Sequence, residues 1–139
     1  MSEKRSVRYS KGNEHMSKIV IRTRSGVYNA ELDGSDLSNI IWLSLPFRTS
    51  INMLGSQIYF EMKTEVKVEG DSTVFDAGDI AYWPQADALC LFFGPTPLSG
   101  DDGRPVSAFP LKKIGRILDD FGTLSEAGDR QTITLERPF

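Results

Sequence analysis

Residues able to make or break bonds are sparse in this 139-residue chain, and where they fall narrows the chemistry further. His15 is the only histidine and Cys90 the only cysteine. A Ser-His-Asp or Cys-His site needs a base held fixed beside its nucleophile, yet His15 lies in a polar amino-terminal stretch. Cys90 falls inside the apolar run Ala88-Leu89-Cys90-Leu91-Phe92-Phe93, where a thiol without a neighbouring cation keeps a high pKa and behaves as a small hydrophobe. One cysteine and one histidine make no soft-metal set. The acidic pairs Asp76/Asp79 and Asp101/Asp102 sit beside glycines and read as turn residues without EF-hand spacing. The glycines from Gly94 to Gly103 lack the lysine and the strand-to-helix setting of a phosphate loop. No metal and no cofactor is therefore expected.

The set that remains is aromatic. Tyr59, Tyr82 and Trp83 fall in predicted strands or at their ends, where alternate positions line a concave face, and aromatic residues with polar tips are common at binding surfaces. Asn52 and Thr96 are the polar candidates for contacting a ligand.

The elements that must position these residues are mostly strands. Ile19, Ile21 and Thr23, then Val27, Asn29 and Glu31, alternate with their neighbours around Ser25-Gly26, as in a β-hairpin. Asp33-Gly34-Ser35-Asp36 offers a helix start, and Leu37, Ile40, Ile41 and Leu45 recur at helical spacing. One amphipathic helix is predicted over 36–45, ended by Pro46. Residues 56–62 alternate, with Ile58, Phe60 and Met62 on one side. Residues 63–69 alternate as well, Thr64, Val66 and Val68 inward and Lys63, Glu65, Lys67 and Glu69 outward, which predicts a strand with one wet face. Further strands are expected at 80–83, at 88–93 as the most buried, at 114–118 and at 132–135, with a helical turn near Leu124–Ala127. Many short strands and one helix imply a small closed barrel or sandwich.

Composition sets the outer bounds. Hydrophobic residues are 40% and charged residues 25%, an ordinary globular balance that fits one domain. A net charge of −3 gives no basic surplus for nucleic acid. Residues 1–15 hold four basic residues against two acidic, so the acidic excess lies in the remainder. That stretch is expected to be a disordered polar tail or a misassigned start, since Met16-Ser17-Lys18 runs directly into the first apolar strand, leaving 16–139 as the domain. A lone cysteine, no membrane-length apolar run and no apolar signal core point to the cytoplasm.

Four stretches carry a likeness: Asn52-Met53-Leu54-Gly55 leading into Ile58-Tyr59-Phe60; Gly78-Asp79-Ile80-Ala81-Tyr82-Trp83-Pro84; Ala88 through Pro97; and Lys113-Ile114-Gly115-Arg116-Ile117. Together they resemble the small prokaryotic cyclophilin-like family over about residues 17–136. The resemblance implies a closed, mainly β barrel of about eight strands with one short helix, and it brings no settled reaction. The sequence departs from the family at Leu54, where members often carry tryptophan, and at Gln85-Ala86, where they often carry Pro-Gly. The expected function is binding of a small molecule or an extended peptide. The resemblance implies a prolyl isomerase as the alternative, because Arg48 in Phe47-Arg48-Thr49-Ser50-Ile51-Asn52 stands roughly where cyclophilins begin the strand bearing their catalytic arginine. An arginine donating to a prolyl nitrogen, beside an apolar pocket for the ring, weakens the amide resonance behind a barrier of about 18–20 kcal/mol. Each ~1.4 kcal/mol removed speeds rotation tenfold, and no histidine or metal is needed. An ordinary solvated arginine fits the same position. A homo-oligomer formed through sheet edges is a third reading.

Overall fold

Period-two alternation of apolar and polar residues accounts for most of what is observed. The computed structural model describes residues 17–138. Within them the chain runs β1 (Lys18–Thr23), β2 (Gly26–Leu32), α1 (Asp36–Leu43), β3 (Phe47–Ser50), β4 (Asn52–Leu54), β5 (Gln57–Glu61), β6 (Ser72–Val74), β7 (Asp79–Trp83), β8 (Ala88–Phe92), β9 (Val106–Ile117) and β10 (Thr132–Glu136). Short 3-10 turns occupy Pro84–Ala86 and Gly122–Glu126. The expectation about residues 1–15 lies outside the described residues.

The strands pair antiparallel in the order β3-β10-β1-β2-β9-β7-β8-β5-β4, with β6 attached to β9. This corrects the expected closed barrel of about eight strands. The described residues hold ten, and no ladder joins the end strands β3 and β4. Those two strands are consecutive in sequence, separated only by Ile51, which is fully buried. Its amide donates to Gln131 O at 2.9 Å and its carbonyl accepts from Arg130 N at 2.8 Å. The eight strands were implied by the family resemblance, and periodicity could not have added β3, β4 and β6, which are only three or four residues long.

Register assigns every side chain to a face. Ile58 pairs with Leu91 and Leu91 with Ile80, while Phe60 pairs with Leu89 and Leu89 with Tyr82. All six are buried in the main core, together with Ile19, Ile21, Ile114, Ile133 and Leu135. The alternate residues of β5, β8 and β7 face the other way, and Ala81, Cys90 and Phe92 form a second cluster there with Phe75 and Leu111. All five residues of β8 are buried, as its unbroken apolar run requires.

Helix α1 begins where the sequence places it. Ser35 Oγ accepts from Ser38 N at 3.3 Å, and Asp36 stands in the first turn. It ends two residues earlier than expected, at Leu43, with the Ser44 amide closing onto the Ile40 and Ile41 carbonyls. Leu37, Ile41 and Leu45 are buried, but Ile40 is 42% exposed.

Residues 63–69 are a second correction, because they form no strand. Thr64, Val66 and Val68 are half-buried and Lys63, Glu65, Lys67 and Glu69 exposed, so the alternation holds while the ladder does not. Lys63 and Glu65 take positive φ values of 62° and 56°, which breaks any strand at its start.

Asp87 secures that break. Its Oδ1 accepts from Thr64 Oγ1 at 2.6 Å, from Thr64 N at 3.2 Å and from Tyr82 Oη, and its Oδ2 accepts from Glu65 N at 3.1 Å. Burial pushes the carboxyl up, but these bonds together outweigh it and hold Asp87 below its ordinary value. Burial, then the bond to Asp87, pushes the Tyr82 phenol up to about 12.

A carboxylate whose pKa falls on folding stabilises the fold above its unfolded value of about 3.9, and that contribution fades as pH drops through the lower folded value. Asp87→Asn, which also tolerates the left-handed backbone, is expected to cost about 1–3 kcal/mol at neutral pH. The gap from wild type should close in strong acid. Urea titrations of both proteins at pH 7 and pH 2.5 measure it, and equal midpoints at pH 7 would refute the latch.

Candidate functional site

The outward face of β4, β5, β8 and β7 is covered by β6 and the first half of β9. That cover is irregular. Ser72 pairs with Leu111 and Val74 with Val106, so two steps along β6 answer five along β9. The four residues Ser107 to Pro110 stand against Thr73 alone and bulge from the ladder, and Ser107 Oγ closes the bulge by donating to Phe109 O at 2.6 Å.

Beneath the bulge lies a cavity of about 80 Å³ lined by Leu54, Gln57, Tyr59, Trp83, Phe109 and Leu111, with Ser107 and Ala108. Register explains the grouping. Leu54 pairs with Gln57 and Gln57 with Phe92, Tyr59 pairs with Cys90 and Cys90 with Ala81, and Trp83 lies two residues beyond Ala81. The Trp83 and Phe109 rings stack with centroids 5.6 Å apart and 18° between planes, and Tyr59 meets Trp83 edge-on at 6.1 Å.

The polar atoms of this aromatic wall are few. Gln57 Nε2 reaches Cys90 Sγ at 3.5 Å. The Trp83 indole N–H is buried and has no hydrogen-bond partner among the described residues. Buried donors are nearly always paired, and an orphan commonly marks where a further group belongs. Trp42, the other tryptophan, spends its indole N–H on Lys18 O at 2.9 Å.

The sequence candidates separate. Tyr59 and Trp83 line the cavity. Asn52 lies beside them, paired with Tyr59 and donating Nδ2 to its carbonyl at 3.3 Å. Tyr82 points to the opposite face and is wholly buried, bonded to Asp87 and Thr64. Thr96 is a buried loop anchor whose Oγ1 donates to Val106 O at 2.6 Å. Arg48 is exposed on β3 opposite Thr134, forms no ion pair or side-chain hydrogen bond among the described residues, and does not line the cavity. Gln57, Phe109 and Leu54 are the residues sequence reasoning missed. Gln57 was legible, since it stands two residues from Tyr59 in the same strand, whereas Phe109 lies in a bulge with no periodic signal.

Cys90 sits at the floor of this layer and is wholly buried. Burial pushes its thiol up to about 12, with the Gln57 bond only partly offsetting it. Among the described residues no group of three or more His, Cys, Asp or Glu side chains comes together to hold a metal, and no helix is long and apolar enough to cross a membrane.

A ten-stranded antiparallel sheet with one helix and an aromatic cavity on its outer face defines a mainly β protein with a small pocket. The chain belongs to the cyclophilin-like family, whose model matches residues 17–136. It is similar to the hypothetical protein AF2241 from Archaeoglobus fulgidus, known from a solution structure, at 33% identity and a TM-score of 0.74. That match covers 88% of this chain and 95% of the other. Among curated proteins none matches.

As the sole cysteine, Cys90 reports directly on the integrity of this layer. The native protein at pH 8 should leave Ellman's reagent unreacted over an hour and release one equivalent of thiolate in guanidinium. Rapid stoichiometric reaction of the folded protein would show the layer to be open.

Proposed function

We propose that this domain is a binding module that takes one apolar side chain of an extended peptide into the cavity under the β9 bulge. The observation that carries the proposal is the unpartnered indole N–H of Trp83 in an aromatic wall. A peptide brings both parts of the match: an apolar group for the Tyr59, Trp83 and Phe109 rings, and a main-chain carbonyl to accept from the indole.

Size favours a peptide over a free small molecule. Small-molecule sites usually enclose about 300–1,000 Å³, and a cavity of about 80 Å³ accommodates a single side chain. Leu54, 49% exposed, and Phe109, 48% exposed, form an apolar rim for the neighbouring residues. The isomerase alternative gains no supporting observation, since Arg48 lies outside the cavity wall.

A library of short extended peptides bearing Val, Leu, Ile or Pro should contain members that raise the melting temperature, by mass action on the folded state. Trp83→Phe keeps the ring but removes the donor, and a neutral hydrogen bond contributes about 0.5–1.5 kcal/mol. The variant should therefore fold normally and bind the best peptide about 2- to 12-fold more weakly by calorimetry. No thermal shift at millimolar peptide, or equal affinity in the variant, would exclude this reading.

A further inference from the structure

Residues 66–70 have the polarity pattern of a strand but belong to no strand and have no paired neighbour. From Val66 to Gly70 no backbone amide or carbonyl has a hydrogen-bond partner among the described residues. Val66 and Val68 pack against the main core, so the segment is held from one side while Lys67 and Glu69 project outward. Neither of those charges forms an ion pair among the described residues. The segment borders an open groove of about 430 Å³ whose other wall is Pro84, Gln85 and Pro110. Gly70 fixes its far end, because a Cβ there would come within 2.1 Å of Pro110 O.

A segment with free backbone groups and alternating exposure is a template for another strand, and its charges indicate which one. Two copies aligned antiparallel about Val68 bring Lys67 opposite Glu69 and Glu69 opposite Lys67, with Val68 facing Val68 and Val66 facing Gly70. Residues directly opposite in an antiparallel pair share a face, so both outward pairs are of opposite charge and the inward residues are all apolar or glycine. Centring the pair on Lys67 instead would set lysine against lysine and Glu65 against Glu69.

We propose that residues 66–70 pair with the same segment of a second copy of this chain, antiparallel and centred on Val68, in an isologous dimer. A ladder this short buries less than the ~1,600 Å² of a standard interface, so the dimer is weak and concentration-dependent.

Sedimentation equilibrium of the full chain from about 10 µM to about 1 mM tests it, a range that covers any dimer with Kd up to roughly millimolar. Wild type should shift from monomer to dimer across that range. Lys67→Glu alone sets carboxylate against carboxylate in both symmetry-related pairs, and Glu69→Lys alone sets ammonium against ammonium. Each should weaken association by about tenfold or more. An equimolar mixture of the two single variants should associate again, and the double variant K67E/E69K should dimerise like wild type. Circular dichroism verifies that all variants fold. Wild type remaining monomeric to 1 mM would overturn self-pairing and leave the segment to a foreign peptide. Single variants that dimerise as well as wild type would overturn the register.

Discussion

Burial of the β7–β8 layer on both faces is the constraint on which the rest of the molecule depends. Ala88 to Phe92 carry no polar side chain to present to water, so each face of their strand needs its own apolar cover. The inner face is met by the main core, closed by α1 and by β1, β2 and β10. The outer face, with Ala81, Cys90 and Phe92, is met by Phe75, stacked on Phe92 at 4.9 Å, and by Leu111. Fully burying one such side chain contributes on the order of 1.5–3 kcal/mol, so an uncovered outer face would be a serious loss for a domain of this size.

That cover also creates the site. The four residues from Ser107 to Pro110 stand against Thr73 alone, and the cavity lined by Tyr59, Trp83 and Phe109 lies at that irregularity. The same requirement explains the buried cysteine: Cys90 is accommodated for its size and lack of charge, beneath the cavity floor. The Asp87 latch serves the other end of the layer by fixing Thr64 and Glu65 as the chain leaves β5.

Much of this arrangement was legible in the sequence. The unbroken apolar run at 88–93 announced the central strand, and the alternation at 56–62 sorted Ile58 and Phe60 from Tyr59 correctly. The separation of Tyr82 from Trp83 was legible too, since consecutive strand residues face opposite ways and cannot share a cleft. Three things were not. The short strands β3, β4 and β6 have no room for a period. The alternation at 63–69 records only that one face is buried, and says nothing of whether a neighbouring strand supplies a ladder. The bulge at Ser107–Pro110 arises from a mismatch in length between two strands distant in sequence, and only their pairing reveals it.

The proposed binding role of the Trp83 indole is tested most directly by a ¹⁵N-edited NMR titration of the two tryptophan indole resonances with an apolar extended peptide. Trp42 is an internal control, because its N–H already donates to Lys18 O. On binding, the Trp83 resonance should move downfield and exchange more slowly with solvent while that of Trp42 stays in place. A bound peptide that leaves the Trp83 resonance unmoved, or that moves Trp42 instead, would contradict the account.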